Sequence, residues 1–376
     1  MSHSHLIHAI ETRPAHPSIF FFCCTHGNEV AGHQALDQLF EHLYDMKEHI
    51  NANLYAVLGN LKAYQERTRY LDKDLNRIWT RENLLIEQAD NDPVHEISEL
   101  QSIYQLITDK ARDKRGELYF IDLHTTSSSS KPFIVMNDSL KNIQFTASLG
   151  MSVVIGVERF IKGSMLDFFN SRGYVSFAFE GGRHDDRDAV YAIEDLCLKV
   201  LIKTQAISKK STERMNNTTS LNPSKFYEIR YRHKLEAQDE FHMINVYRNF
   251  QPIRKGEKLA LHNQQIIKSP ADYTIFMPLY QDQGEDGFFF IKPITYLRLK
   301  IISMLRKSSL QERLIPRTNV VQSDRNTLII YNPGIKRYQL KLLHLLGFRK
   351  RKNINGKKSI YKRNERYPQR VEDWMS

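Results

Sequence analysis

The sequence predicts an α/β protein with a mostly parallel, doubly wound sheet, followed by a smaller all-β domain and a basic C-terminal extension. Short apolar runs alternate with amphipathic helical patterns through the first two hundred residues, which is the order of elements in an open parallel sheet. Several of these runs are apolar almost throughout, as expected for strands that helices cover on both faces. Beyond residue 225, short strand-like pieces with turn signals replace this alternation.

Six strands are predicted in the first domain. Each run is short, is bounded by polar or turn-forming residues, and is rich in Phe, Val, Ile or Tyr, which favours strands. The predicted strands are Ser18–Cys24, Asn53–Leu58, Leu118–Leu123, Pro132–Met136, Ser152–Val157 and Tyr174–Phe179.

Three amphipathic helices are predicted between these strands. Their apolar residues recur at three- and four-residue spacings, so each helix can bury one face against the sheet. The apolar faces comprise Val30, Leu36, Leu39, Phe40 and Leu43; then Val94, Ile97, Leu100, Ile103 and Ile107; then Val190, Ile193, Leu196, Val200 and Leu201.

Four segments are predicted along the 376 residues. Residues 1–207 form the first domain, and the polar stretch 208–224 is typical of a linker. Residues 225–297 form the small β domain, and residues 298–376 form the extension. Within the extension, the pair Asn355–Gly356 predicts the type I′ turn of a hairpin.

The positive charge is concentrated in the extension. The whole chain carries a formal net charge of +11, yet residues 298–376 alone hold 20 Lys and Arg against 5 Asp and Glu. The remainder is mildly acidic, with 34 basic and 38 acidic residues. Such asymmetry predicts a polyanion or an acidic protein as a partner of the extension. The alternative is a module that only packs on the rest of the protein.

Composition excludes several classes of protein. Hydrophobic residues make up 41% and charged residues 26%, which excludes wholesale disorder. No apolar run approaches the roughly 20 residues of a transmembrane helix, and the N-terminus lacks the pattern of a secretory signal. The three cysteines cannot form a disulfide framework and suit a reducing compartment, so we expect a cytoplasmic protein.

Three predicted strands end next to ionisable side chains. The first leads into Thr25–Glu29 (THGNE), the third ends at His124, and the sixth ends at Glu180. Open α/β sheets bind ligands at the carboxyl ends of their strands. We therefore expect these three segments to converge on one crevice.

His26, Glu29 and His124 together predict a metal site. Residues three apart lie on the same side where a chain begins to coil, so His26 and Glu29 can bind one ion. With His124 they make the two-histidine, one-carboxylate set of open catalytic zinc sites, a set that also accepts other divalent ions. Asp122 is placed to orient a ligand, and Glu180 is left to act as the general base.

The run Arg69–Arg77 (RYLDKDLNR) follows the second predicted strand. Because the planar guanidinium of arginine binds carboxylates in bidentate fashion, this run is a candidate substrate-binding loop. Each feature also has a simpler interpretation when taken singly. A lone histidine is more typical of a loop or a core position, and an arginine-rich run of a charged surface, so the prediction depends on the joint pattern.

Four motifs in this order, THGNE, RYLDKDLNRIW, IDLHTT and FEGG, resemble those of the succinylglutamate desuccinylase/aspartoacylase family. The family consists of zinc-dependent amidohydrolases with a carboxypeptidase-like α/β domain and a small β domain that helps to enclose the substrate. The resemblance extends from about Ile19 to Ile294. It implies that residues 1–207 are the catalytic domain.

The resemblance also implies the metal and the base. His26, Glu29 and His124 would bind one Zn²⁺ per chain. Glu180 would be the general base that takes a proton from water and passes it to the leaving amine.

Substrate-binding roles follow from the same resemblance. Arg69 would polarise the scissile carbonyl, while Asn76 and Arg77 would hold the substrate carboxylate. The sequence differs from aspartoacylases at two places. Asn170 lies about where those enzymes have an arginine for the acidic side of the substrate, and Phe288–Phe290 lie where their β domain contributes a tyrosine.

The sequence therefore predicts a zinc-dependent amidohydrolase that removes the acyl group from an N-acyl amino acid or a similar small carboxylate. One alternative is a zinc carboxypeptidase that acts on short peptides, since the same zinc core serves both reactions. The other is a binding protein that works through the basic extension. The predicted substrate is a small molecule, and the sequence does not name the acyl group or the amine.

Overall fold

The computed structural model of the chain describes residues 4–87, 94–210, 221–281, 284–308, 313–316, 319–324, 326–331, 335–354, 357–363 and 368–375. Its strands are β1 (Leu6–Ile10), β2 (Ser18–Cys23), β3 (Asn53–Leu58), β4 (Leu118–Thr126), β5 (Phe133–Met136), β6 (Ser152–Ile155), β7 (Val175–Arg183), β8 (Lys225–Lys234), β9 (Phe241–Met243), β10 (Pro252–Ile253), β11 (Lys258–His262), β12 (Gln265–Lys268), β13 (Tyr273–Phe276), β14 (Asp286–Ile294), β15 (Val320–Asp324), β16 (Thr327–Tyr331), β17 (Arg349–Ile354) and β18 (Lys358–Lys362). Its helices are α1 (Ala31–Asp45), α2 (Leu61–Glu66), α3 (Arg81–Leu85), α4 (His95–Ala111), α5 (Leu140–Thr146), α6 (Met165–Asn170), α7 (Asp188–Lys203), α8 (Tyr296–Lys307) and α9 (Arg337–Leu345).

A large sheet forms the centre of the molecule, with the strand order β1-β3-β2-β4-β7-β5-β6-β8-β14-β13-β10. Strands β3, β2, β4 and β7 run parallel, as do β5 and β6, whereas β5 is antiparallel to β7. This confirms the predicted α/β class with a mostly parallel sheet in the first domain. The six predicted strands and three predicted helices of that domain are all present, with ends shifted by a few residues.

Helices cover both faces of the first domain's strands, which explains why those strands are apolar throughout. Along β2, Ile19 and Phe21 lie in a core layer with α1 and α7, while Phe20 and Phe22 lie in the opposite layer with α4. Alternate side chains of a strand point to opposite faces, so both sets are buried only when both faces are covered. All six residues of β2 are buried.

The strands of the small β domain continue the central sheet. Strand β8 pairs in parallel with β6, and β14 and β13 then add antiparallel strands. A separate three-stranded sheet, β12-β11-β9, packs beside them. This continuity positions β14 close to the carboxyl ends of the first domain's strands. Most of the predicted linker, residues 211–220, lies outside the described residues.

The basic extension contains a four-stranded sheet, β15-β16-β18-β17, with helices α8 and α9. Strands β17 and β18 form the predicted hairpin, although its turn at Asn355–Gly356 lies outside the described residues. The extension packs on the rest of the protein through Asp138, which pairs with both Arg306 and Arg349. Burial disfavours the charge of Asp138, but the two arginines lower the pKa of its carboxyl to about 2. A polyanionic or acidic partner for the extension stays a prediction.

The C-terminal residues return to the first domain. Trp374 is fully buried against Phe120 and Phe169 in the core layer that contains α4. Its carbonyl oxygen accepts a hydrogen bond from Arg172 Nε at 3.0 Å, and its indole Nε1 donates to the Tyr174 hydroxyl at 3.1 Å. The extension therefore contributes to the hydrophobic core of the domain that carries the predicted site.

The N-terminal residues also pack on the domain, where they form strand β1, which was not predicted from the sequence. Strand β1 pairs antiparallel with β3, and His5 Nδ1 lies 2.8 Å from the Leu58 carbonyl oxygen. Among the described residues, no helix is both long and apolar enough to cross a membrane.

Candidate functional site

The first motif lies in a tight turn between β2 and α1. The Glu29 amide donates to the His26 carbonyl oxygen at 3.1 Å, so the chain coils there as the spacing predicted. A Cβ at Gly27 would lie 2.1 Å from the Ala63 backbone, so only glycine fits between this turn and α2. The Gly27 amide donates to the Arg69 carbonyl oxygen at 3.1 Å, which ties the first motif to the second.

His26, Glu29 and His124 converge in the structure. His26 Nδ1 lies 2.8 Å from Glu29 Oε1, and His124 Nδ1 lies 2.9 Å from Glu29 Oε2. All three side chains are buried, and one ligand atom from each falls within 4.8 Å of the others. The Thr125 amide donates to Glu29 Oε2 at 3.0 Å and fixes the carboxylate between the two rings.

A second carboxylate lies behind each histidine. His26 Nε2 is 3.2 Å from Asp74 Oδ1, and His124 Nε2 is 2.7 Å from Asp122 Oδ2. Metal-binding histidines commonly donate their other ring N–H to a carboxylate, which fixes the ring orientation and makes the ligand more basic. The structure therefore confirms the proximity of Asp122 to His124 and adds Asp74, which the sequence analysis had not singled out.

This arrangement fits a bound cation. Each ring nitrogen of His26 and His124 lies within 3.2 Å of a carboxylate oxygen, yet the buried His124 Nε2 has no hydrogen-bond partner among the described residues. A divalent ion held by His26, Glu29 and His124 would balance the negative charge of the carboxylates around it. Burial opposes charge at Glu29, yet His26 and His124 hold the pKa of its carboxyl well below its usual value. The carboxylate is thus ionised and available as a ligand.

Glu180 lies beside the three candidate metal ligands. It occupies the position on β7 directly opposite His124 on β4. Its side chain is buried, and Oε2 has no hydrogen-bond partner among the described residues. Burial raises the pKa of the Glu180 carboxyl to about 8. A nearby cation would lower that pKa again, which suits a group that both takes and returns a proton.

Arg69 also lies next to the candidate ligand Glu29. Its Nη1 is 3.6 Å from Glu29 Oε1, and its Nη2 donates to Asp74 Oδ2 at 3.3 Å. The loop that carries Arg69 is held by Glu96, whose carboxylate accepts the backbone amides of Leu71, Asp72 and Lys73. The guanidinium therefore has a fixed position within the cavity.

Asn76 and Arg77 have different environments. The Asn76 side chain donates to Asp122 Oδ2 at 3.4 Å and accepts from the Met165 amide at 3.1 Å. Both polar atoms of this side chain therefore already have hydrogen-bond partners within the protein. Arg77 Nη1 donates to the Asn76 carbonyl oxygen at 3.0 Å, and Nη2 faces Asp286 Oδ2 at 3.4 Å. The Arg77 Nε is buried and lacks a partner among the described residues. Contact of Asn76 with a substrate stays a prediction.

One cavity of about 1030 Å³, counting the space that opens to solvent, contains all seven predicted site residues. Its walls are largely apolar and come from both the first domain and the β domain. They include Val135, Val157, Ile161, Leu166, Phe276 and Phe289. The predicted site residues in it are His26, Glu29, Arg69, Asn76, Arg77, His124 and Glu180.

Two predicted differences from aspartoacylases can be placed in the fold. Asn170 is buried at the end of α6, where its Nδ2 donates to Ser139 Oγ and to the Tyr174 carbonyl oxygen. Phe289 lines the cavity, whereas Phe288 and Phe290 pack in a separate core of the β domain. Asp286, at the start of β14, was not predicted to belong to the site. Its Oδ2 lies 3.4 Å from Arg77 Nη2.

The model of the succinylglutamate desuccinylase/aspartoacylase catalytic domain matches residues 15–182. The match covers 168 of the 376 residues, so the likeness to this family concerns less than half of the chain. Aspartoacylase from Mus musculus is 31% identical over 121 residues, which cover 32% of this chain and 38% of the mouse protein. The match thus spans well under two thirds of that relative's length.

Solved structures of the desuccinylase/aspartoacylase type share the fold over a longer stretch. The structure of a succinylglutamate desuccinylase from Vibrio parahaemolyticus superposes with a TM-score of 0.55 at 17% identity, covering 76% of this chain and 84% of that one. Murine aminoacylase 3 superposes with a TM-score of 0.54 at 15% identity, covering 75% and 97%. These likenesses confirm the predicted carboxypeptidase-like fold.

The desuccinylase/aspartoacylase family match ends just after Glu180, at residue 182. It therefore includes the positions of all three candidate metal ligands and of Arg69, Asn76 and Arg77. It does not include β14, so Asp286 and Phe289 belong to the part of the cavity outside that match.

Proposed function

We propose that the chain is a zinc-dependent hydrolase that cleaves the amide bond of an N-acyl amino acid or a similar small carboxylate. The observation that carries this proposal is the position of the buried Glu180 beside the convergent ligands His26, Glu29 and His124. Hydrolysis of an amide requires an activated water, a base to deprotonate it and stabilisation of the developing oxyanion. The match of residues 15–182 to the desuccinylase/aspartoacylase catalytic domain supports the same reaction class.

Zinc at these three residues would act as a Lewis acid that polarises the amide carbonyl and lowers the pKa of water. Glu180 Oε2 takes the proton of the attacking water and later delivers it to the leaving nitrogen. Arg69, held by Asp74, donates to the carbonyl oxygen as negative charge develops there.

Arg77 is proposed to bind the substrate carboxylate, with Asn76 as its support. The Asn76 carbonyl oxygen and Asp286 orient the guanidinium, and the unpartnered Nε points to unused binding capacity. A carboxylate held there would keep the amide in line with Glu180 and the metal ligands, which reduces the entropic part of the barrier.

A small substrate fits the cavity better than a peptide chain does. Residues from β13 and β14, including Phe276 and Phe289, close one side of the cavity. This wall favours the deacylase over a carboxypeptidase that acts on peptides. The intact set of candidate catalytic groups favours an enzyme over a protein that works only through its extension. The three free, buried cysteines Cys23, Cys24 and Cys197 suit the proposed cytoplasmic location.

The metal assignment is tested by the change His124→Ala. We expect the wild-type protein to bind one zinc per chain and the variant to lose it, because the remaining His26 and Glu29 make too few contacts. Elemental analysis after dialysis measures this. The matched control is His95→Ala, since His95 is exposed and lies outside the cavity. Zinc content that is the same in His124→Ala and in wild type would remove the assignment.

The carboxylate-binding role is tested by Arg77→Ala. We expect KM for an N-acyl amino acid to rise by ten-fold or more, because the charge-assisted hydrogen bonds to the carboxylate are lost. The corresponding amidated substrate lacks that charge and should be affected much less. Steady-state kinetics on the acid and the amide measure the difference. Equal losses on both substrates would show that Arg77 is structural.

A further inference from the structure

Three charged residues of the cavity lining, Arg77, Glu285 and Asp286, form a group with Arg232, which pairs with both carboxylates from outside the lining; these four residues are called here the entrance cluster. Asp286 lies between the two arginines: Arg77 Nη2 is 3.4 Å from its Oδ2, and Arg232 Nε donates to its Oδ1. Glu285 Oε2 lies 3.4 Å from Arg232 Nη2. Two positive and two negative charges therefore cancel within the cluster.

The first consequence concerns the number of carboxylates that the site can neutralise. Arg69 already faces Asp74 and Glu29, and Arg77 already faces Asp286. Among the described residues, the cavity is lined by no lysine and by no third arginine. The buried Nε of Arg77 offers a donor for one carboxylate, and no further lysine or arginine among the described residues lines the cavity to pair with a second.

The second consequence concerns the rest of the substrate. Much of the remaining wall is apolar, with Val135, Val157, Ile161, Leu166 and Phe276 among its residues, and its polar residues outside the candidate site, such as Thr125 and Ser164, are mostly uncharged. An ionised group placed against such a surface loses hydration without gaining a partner. Aliphatic or aromatic groups gain from the same contact. Both the charge and the apolar surface of the cavity therefore disfavour a second carboxylate.

We infer that the enzyme acts on N-acyl amino acids that carry a single carboxylate and are otherwise uncharged, and that Asp286 is the residue that selects against a second carboxylate. This inference rests on the proposed deacylase function. Asp286 disfavours binding of a second carboxylate in two ways. It offsets the positive charge of Arg77, and it repels an additional negative charge beside it. Like charges that face each other at an interface are strongly disfavoured, so the expected discrimination exceeds ten-fold.

The test compares N-acetyl-L-glutamine with N-acetyl-L-glutamate, which have nearly the same shape and differ by one negative charge. With the zinc-loaded full chain, we expect kcat/KM for the glutamine compound to exceed that for the glutamate compound by at least ten-fold. N-acetyl-L-leucine, with an apolar side chain, should also be hydrolysed faster than the glutamate compound. Released amino acid is the measured product.

The change Asp286→Asn should reduce the glutamine-to-glutamate preference by about ten-fold, because it removes the charge and keeps the size. Both substrates share the α-carboxylate, so a general disturbance of Arg77 cancels in the ratio. The matched control is Asp272→Asn, an exposed position on the β domain outside the cavity, which should leave the ratio unchanged.

A second measurement does not depend on the variant. In the wild-type enzyme, salt at about 0.5 M should lower the ratio of kcat/KM for the glutamine compound to that for the glutamate compound, because salt screens charges that are accessible to solvent. Equal kcat/KM for both compounds, or a ratio that neither salt nor Asp286→Asn changes, would overturn the inference and leave the deacylase function standing. Absence of hydrolysis with all three compounds would instead overturn the proposed function and this inference with it.

Discussion

Replacing Glu180 by Gln should lower kcat by a factor of about 10²–10⁴, which is the usual contribution of a positioned general base. The amide of glutamine has nearly the same shape but cannot take a proton from water. Glu180 Oε2 has no hydrogen-bond partner among the described residues, so the change breaks no contact there. The loss should therefore appear in kcat, with little change in KM. Steady-state kinetics with a single N-acyl amino acid measure it.

Two controls separate this loss from structural damage. The Glu180→Gln protein should keep one zinc per chain and a melting temperature close to that of wild type. The change Glu41→Gln removes a carboxylate from the exposed face of α1, outside the cavity, and it should retain the wild-type kcat. If Glu180→Gln stays within ten-fold of wild type, another group is the base.

Replacing Trp374 by Ala should lower the free energy of unfolding by about 3–5 kcal/mol, as expected for a large aromatic side chain removed from a core. Trp374 is fully buried and packs against Phe120 and Phe169 of the first domain. The change also leaves the Tyr174 hydroxyl without the indole donor. Chemical denaturation, followed by circular dichroism, measures the difference.

The matched control is an exposed aromatic residue of the same extension. Tyr338 on α9 is 64% exposed, so Tyr338→Ala should change the free energy of unfolding by no more than about 0.5 kcal/mol. A loss of less than about 1 kcal/mol for Trp374→Ala would show that the first domain's core does not depend on the C-terminal residues. That result would indicate that the first domain is stable without the packing of the extension against it.

The apolar runs of the sequence predicted the strands of the first domain because both faces of those strands are buried. β2 is the clearest case, since all six of its residues are buried. Strand β1 was missed because it lies at the edge of the sheet, where all of its residues except Ile10 are only partly buried and show no clear alternation. The pairing of β6 with β8 could not be predicted either, because periodicity within a strand does not specify its neighbour.

The site was predicted in so far as its residues lie at strand ends and in short motifs. His26, Glu29 and His124 come together because β2 and β4 are adjacent and parallel. Asp286 was not predicted, since it is 209 residues from Arg77 and its pairing depends on how β14 joins the sheet. Asp74 is different: it lies within the RYLDKDLNR motif, two residues before Asn76, and could have been weighed with Asp122.

The return of Trp374 to the first domain has a consequence for synthesis of the protein. Trp374 donates to Tyr174 across 200 residues of sequence. At a translation rate of about 5–20 residues per second, the ribosome needs roughly 10–40 s to travel that distance. During this interval the nascent first domain exposes the apolar surface that Trp374 later covers. Such a surface is a binding site for chaperones, so they should associate with ribosome-bound chains that end before Trp374.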